Sequence, residues 1–324
     1  MLISVALATY NGEEYLREQL DSILNQSVQD FELVVCDDCS TDATVKILNK
    51  YAEKDSRIKV FVNERNIGFK KNFEKAISLC SGDYIALSDQ DDIWTEKHLQ
   101  VLVENIGSKD FVGANAFLCD ENANPTGADL LSCSRIDFLP QTKDDWFFFL
   151  LHSNIFQGAA CLFRKSLAQN ALPIPEDVKF HDYWLALVAS VNGGVTYVNE
   201  CVLYYRQHGM NITENSKWNF WKRIGNRKNA DVDSDMKLKT LLALKGRISL
   251  QQNNLCFLEK AVLYHRGFLL FSVEYFIKNY RWIYLSKKKT LFFLRFFGIL
   301  MKNLCCSRKI NKAIYFKEHY LCSQ

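Results

Sequence analysis

Asp89, Asp91 and Asp92 fall within four residues at the end of the apolar run Tyr84-Ile85-Ala86-Leu87-Ser88. Carboxylates this close raise one another's pKa, and a divalent cation removes the conflict. Oxygen ligands suit Mg²⁺ or Mn²⁺, and Mg²⁺ fills the rest of its shell with water and substrate phosphate. A strand-end Asp-x-Asp therefore points to a nucleotide diphosphate held through a metal. A solvated turn is the competing account, with Asp92 capping a helix that starts near Trp94. A second acidic pair, Asp37-Asp38, closes the run Phe31-Glu32-Leu33-Val34-Val35-Cys36. Lys70 and Lys71, just after Gly68, can neutralise leaving phosphates, or can simply be solvated at a helix start.

The elements that carry these residues alternate between two periods. Ile3-Ser4-Val5-Ala6-Leu7-Ala8 reads as a buried strand, and Tyr15, Leu16, Leu20, Ile23 and Leu24 then mark one face of a helix that Asn11 can cap, with Glu14 three residues on. Strands are expected again at 31–36, 59–62 and 84–88, with helices after Ser40-Thr41-Asp42 and from about Lys71 to Cys80. This β-α-β-α rhythm predicts an α/β fold, a mostly parallel sheet with helices on both faces. Ligands of such sheets sit beyond the carboxyl ends of the strands, where Asp37-Asp38 and Asp89 to Asp92 are delivered.

The composition agrees with a folded catalyst: 324 residues, 48% hydrophobic and 24% charged, with 14 Gly and 4 Pro. Collagen-like, low-complexity and wholly disordered chains are excluded. A membrane channel is excluded as well, since the longest strongly apolar run, Leu291 to Met301, is interrupted by Arg295 and falls short of the roughly 20 residues that cross a bilayer. The first residues lack a basic segment and a cleavage site, so no signal peptide is expected and the eleven Cys are read as cytosolic thiols without a disulfide framework. Charge divides the chain. Residues 1–216 hold 18 basic and 31 acidic side chains, whereas residues 217–324 hold 22 and 6. The second part, rich in segments such as Trp218-Asn219-Phe220-Trp221-Lys222-Arg223, is expected to be α-helical and to face something anionic, or else to turn its aromatics inward.

Several segments in a fixed order resemble family 2 glycosyltransferases of the GT-A fold, a Rossmann-like sheet flanked by helices. They are Ser4 to Asn11, Leu24-Asn25-Gln26-Ser27, Asp37-Asp38-Cys39-Ser40-Thr41-Asp42, Asn66-Ile67-Gly68, Gly82 to Asp92 and His181-Asp182. The resemblance covers roughly residues 1–215, leaving 216–324 as a basic helical extension for a membrane surface or an acceptor. Leu87 to Trp94 and His181-Asp182-Tyr183-Trp184 look closest to rhamnosyltransferase-like enzymes of bacterial surface or capsular polysaccharide synthesis.

The resemblance implies roles residue by residue. Thr9 and Tyr10 would lie against the nucleotide base, with Asp38 on a pyrimidine imide and Asp37 beside it. Asp91 would hold the metal, with Asp89 and Asp92 on the ribose, metal or sugar. Asp182 would be the base of an inverting single displacement, with helix capping as its structural alternative. His208, in Tyr204-Tyr205-Arg206-Gln207-His208, would ligate the metal or bond a phosphate. Asn154, Gln157, Gly158 and Trp184 would border the acceptor or sugar.

The implied donor is a dTDP- or UDP-sugar, the acceptor a lipid-linked oligosaccharide, and the place the cytoplasmic face of the plasma membrane, held peripherally by anionic lipid. Two other classes compete. A nucleotidyltransferase would want a glycine-rich phosphate loop, and Ala8-Thr9-Tyr10-Asn11-Gly12 is a poor one. A nucleic-acid-binding protein would suit the basic stretch, but no such module is recognisable, so nucleic acid is not expected as a partner.

Overall fold

The computed structural model describes residues 1–209, apart from 135, 137, 138 and 152, together with residues 239, 240 and 242–244. The chain divides into two compact units, one of residues 1–136 and 140–227 and the other of 137–139 and 228–324. In the second, residues 239, 240 and 242–244 are helical; the remaining expectations for 216–324 lie outside the described residues.

The first unit opens β1 (Ile3–Thr9), α1 (Leu16–Leu24), β2 (Phe31–Asp37), α2 (Thr44–Ala52), β3 (Ile58–Val62), α3 (Phe69–Leu79) and β4 (Tyr84–Ser88). After β4 come β5 (Ile93–Trp94), α4 (His98–Ile106), β6 (Phe111–Cys119), β7 (Pro125–Asp129), α5 (Leu130–Cys133) and α6 (Lys143–Leu150). A 3₁₀ turn (Gly158–Ala160), β8 (Cys161–Arg164), α7 (Lys165–Ala171), α8 (His181–Val191) and β9 (Val195–Arg206) complete it.

One sheet runs β3-β2-β1-β4-β8-β6-β9-β5, with β7 paired to β6. Strands β3, β2, β1 and β4 are parallel, with Thr9 beside Asp37 and Leu7 beside Ser88. Both acidic strand ends therefore reach the same edge. Beyond β4 the sheet departs from the simple expectation. Strand β8 starts at that carboxyl edge, where Leu162 pairs with Ala86, so it runs antiparallel, as do the pairings of β5 and β7.

Leu16, Leu20 and Ile23 supply the buried face of α1, and Phe73, Ala76 and Ile77 that of α3, at the spacing that puts them on one side of a helix. The α1 face shares one core with the strand residues Ile3, Val5, Leu7, Leu33 and Val35. Helix α8 is buried nearly all round, from Trp184 to Ser190. Local chemistry shifts some expected starts. Asn11 does not cap α1; it has φ 46°, and its Oδ1 accepts from Thr41 N at 2.8 Å, which ties the first loop to the Asp37 loop. Nor does Asp92 cap a helix, because β5 follows it and α4 begins only at His98. The seven described cysteines are all free.

Candidate functional site

The loop after β2 is built from its own polar groups. Asp37 accepts from Thr9 Oγ1 at 2.8 Å, Ser40 N at 2.8 Å and Ser40 Oγ at 2.5 Å. Asp38 Oδ1 accepts from Asn63 Nδ2 at 2.9 Å and Ile67 N at 2.8 Å, while its Oδ2 accepts from Gly68 N at 2.8 Å. Gly68 has φ 86°, a conformation side chains other than glycine resist, and so lets the chain turn onto Asp38 and into α3. Thr9, Asp37 and Asp38 are at most 2% exposed. Thr9 and Asp38, expected against the base, and Asp37, expected beside Asp38, all have hydrogen-bond partners within this edge of the sheet. Tyr10 remains at this edge, 46% exposed, with its backbone held from both sides by the Gln90 amide at 2.8 and 3.1 Å.

At the end of β4 the carboxylates separate into two environments. Asp89 and Asp91 are half-buried at the edge. Asp89 is pushed up to about 8, first by burial and then by the charges of Asp91 and Asp182. Asp92 is enclosed: its Oδ1 accepts from Arg206 N at 3.2 Å, and burial followed by the neighbouring aspartates raises its pKa well above the usual range. Its expected metal role is therefore corrected to an internal one beneath the loop.

His208 reaches Asp91 instead, Nε2 to Oδ2 at 2.8 Å. The imidazole rests on Tyr15 with centroids 4.9 Å apart, and the Arg206 guanidinium lies 4.6 Å over the same ring. Arg206 is 2% exposed and pinned by Glu18, the Asp91 carbonyl at 2.8 Å and the Glu121 carbonyl at 2.7 Å. The first turn of α1 thus braces the tail of β9 against the acidic loop. The sequence places Tyr15 only on a helix face and does not single out Glu18 or Gln90, although Gln90 stands inside the acidic motif itself.

Asp182 lies in the first turn of α8, half-buried, and burial pushes its carboxyl up to about 6. Phe180, not Asp182, stands at the N-cap of α8. A side chain on Gly158 would put its Cβ 3.6 Å from Asp182 Cβ and 3.2 Å from His181 Nε2, so Gly158 and Asp182 are brought together. Gln157 is half-buried beside them. Asn154 is exposed and turns its amide back on the Phe156 backbone, at 3.0 and 3.3 Å. Trp184 is corrected: it is wholly buried, its Nε1 donating to the Ala171 carbonyl at 2.8 Å. Lys70 is corrected too. Its Nζ donates to the carbonyls of Pro175, Glu176 and Val178 at 3.1, 2.7 and 2.9 Å, strapping the segment that leads to Asp182 onto α3.

No three His, Cys, Asp or Glu side chains form a ready metal cage among the described residues. Of the expected metal residues, Asp91 and His208 are in contact at 2.8 Å, and this pair would suit only a cation that takes most of its shell from water and phosphate.

Residues 4–172 match the family model described as glycosyl transferase family 2. A putative teichuronic acid biosynthesis glycosyltransferase of Bacillus subtilis, TuaG, is 30% identical over 68% of this chain and 85% of its own length. An uncharacterised glycosyltransferase of Haemophilus influenzae is 29% identical over 64% of this chain, which spans 66% of that relative. The structure of TarS residues 1–349 from S. aureus in complex with UDP-GlcNAc shares the fold at a TM-score of 0.57 and 18% identity, over 87% of this chain and 82% of that one. The mannosyltransferase PcManGT of Pyrobaculum calidifontis, solved with GDP-Man and Mn²⁺, does so at 0.53 and 14%, over 95% and 75%. With a family model spanning half its length and a mostly parallel sheet flanked by helices, this chain belongs to glycosyl transferase family 2 and is a glycosyltransferase of the GT-A fold.

Proposed function

We propose that this enzyme transfers a sugar from a nucleotide diphosphate sugar to an acceptor hydroxyl with inversion, using Asp182 as the base and a divalent cation at Asp91, Asp89 and His208. The observation that carries the reading is the 2.8 Å contact of His208 with Asp91 at the end of β4, where Asp89 stands two residues earlier and the nearby charges of Asp91 and Asp182 add to burial in raising its carboxyl. Such a cluster suits a cation-bound diphosphate facing a proton acceptor. Bound Mg²⁺ or Mn²⁺ would offset the negative charge that develops on the leaving diphosphate. Asp182, with its carboxyl near 6, is ionised at neutral pH and can take the acceptor proton. Exposed Tyr10 offers a ring to the base.

The nucleotide-sugar reading is supported by the neighbours solved with UDP-GlcNAc and GDP-Man, and polysaccharide synthesis by the relative named for teichuronic acid. A dTDP- or UDP-linked donor, with rhamnose as the sugar, rests on the resemblance of Leu87 to Trp94 and of His181 to Trp184. A lipid-linked oligosaccharide at a cytoplasmic, anionic membrane face rests on the basic balance of residues 217–324. No helix among the described residues is long and apolar enough to cross a membrane. If lipid charge holds the protein, high salt should release it from anionic vesicles; retention in high salt would contradict that. Family membership removes the nucleotidyltransferase and nucleic-acid alternatives.

The experiment is a panel of UDP-, dTDP- and GDP-sugars with Mn²⁺ or Mg²⁺, scored for donor hydrolysis and for the anomeric configuration of any transferred product. Turnover of one donor class with inversion is expected. Retention of configuration would remove the single displacement.

A further inference from the structure

Helix α8 carries Asp182 in its first turn without the help of a capping side chain, since Phe180 stands at the N-cap and makes no such bond. The first N–H groups of a helix lack intrahelical partners, so an uncapped start is where a helix frays. Residues 172–180, which lead into α8 from α7, belong to no helix or strand. The entry to α8 must therefore be held from outside.

Helix α3 supplies that hold. Lys70 Nζ donates to the carbonyls of Pro175, Glu176 and Val178 at 3.1, 2.7 and 2.9 Å, spending its three donors within residues 175–178. One turn further along α3, Glu74 Oε2 accepts from Ile174 N at 2.7 Å, while its Oε1 meets Lys71 Nζ at 3.1 Å. Ile174 and Val178 are buried. Phe69 and Phe73 form the adjoining row of α3 and take the ring of His181, edge-on at 6.3 Å and stacked at 4.1 Å. Two rows spaced four residues apart on one helix thus grip the lead-in and the first residue of α8. Helix α3 itself starts at Gly68, whose N donates to Asp38 at 2.8 Å, so the entry to α8 is tied to the edge that carries the acidic strand ends.

We infer that Lys70 is a positioning residue for Asp182: by gathering three carbonyls of the lead-in it fixes the path of the chain into α8, and with it the place of the Asp182 carboxyl. This rests on the reading of Asp182 as the base. What bears on the carboxyl directly is burial, followed by the N–H groups of Tyr183 and Gly158, whereas Lys70 acts on the backbone that carries it. An ammonium suits the task because one side-chain end can meet several carbonyls that converge on it. An apolar side chain of the same length would pack there and leave those carbonyls without their donor.

The test follows hydrolysis, with water as the acceptor, of the UDP-, dTDP- or GDP-sugar that the nucleotide-sugar panel shows to be turned over. Lys70→Met keeps the stem and removes the donors. Its kcat should fall about 10–100-fold, the scale of an ångström-sized misplacement, with donor KM and nucleotide Kd unchanged, and Lys70→Arg should recover part of the rate. In an Asp182→Asn background the same substitution should cost about twofold or less, because no base is left to misplace. If Lys70→Met does not fold, Lys70→Gln, which retains an amide donor, takes its place in the same cycle. Unchanged kcat, a rise in KM or Kd in its stead, or an equal loss in the Asp182→Asn background would overturn the inference. A wild type that turns over no donor, or an Asp182→Asn variant as active as wild type, would remove the parent reading and this one together. An enzyme that needs Asp182 and is indifferent to Lys70→Met sinks this one alone.

Discussion

His208 Nε2 stands 2.8 Å from Asp91 Oδ2, so the segment that follows β9 closes on the acidic loop at the end of β4 although 117 residues separate the two. Tyr15 supports that contact by lying against both the imidazole and the Arg206 guanidinium. Tyr15→Leu is therefore expected to weaken Mn²⁺ binding, titrated directly, by roughly tenfold, the lower end of what supporting residues contribute at metal sites. Tyr15→Phe should retain most of it. Equal Mn²⁺ affinity in Tyr15→Leu would show that His208 needs no such support.

Asp182→Asn keeps the shape of the site and removes the proton acceptor. Transfer should drop by about 10²–10⁴-fold with nucleotide Kd unchanged. Because burial raises this carboxyl to about 6 and the ionised form is the active one, kcat of the wild-type enzyme should fall as pH drops through about 6 and level off above it. A kcat flat from pH 5 to 8 would detach Asp182 from the chemistry.

The interior offers a different pH test. Glu32 is buried, which raises its pKa, but the Lys59 ammonium at 2.6 Å, Ser4 Oγ at 2.6 Å and Ser81 N and Oγ at 2.6 and 2.7 Å outweigh that and hold it down to about 2. Its folded pKa lies below the unfolded value, so its stabilisation is complete above about 4.5 and is lost as pH falls from there towards 2. Glu32→Gln should cost about 1–3 kcal/mol at pH 7 and flatten that acid limb, measured by urea unfolding at several pH values.

Trp184 distinguishes packing from sugar contact. Its complete burial predicts that Trp184→Ala costs about 3–5 kcal/mol in chemical unfolding. A variant of normal stability that has lost only acceptor affinity would restore the sugar-facing role.

Much of this was legible in the chain. Periodicity located β1 to β4 and the helices between them because apolar spacing along one element reports which face is buried. It also brought Asp37 and Asp89 to one edge, since parallel strands share a carboxyl end. Side-chain allegiance was not legible. Asp38 and Asp91 look alike in sequence, but Asp38 is consumed by Asn63, Ile67 and Gly68, whereas Asp91 faces His208. Lys70 likewise reads as a free cation until the fold brings three carbonyls, more than a hundred residues away, onto its ammonium. The antiparallel entry of β8 escaped for the same reason, as strand direction depends on where the preceding segment returns.

The most direct measurement is the melting temperature of wild type and Asp91→Asn with UDP or dTDP, each with and without Mn²⁺. At a ligand concentration near 100 times Kd, stabilisation of roughly 5–10 °C is expected for wild type with Mn²⁺ and little for any other combination. Equal stabilisation without metal, or in Asp91→Asn, would contradict a cation-held diphosphate at this edge of the sheet.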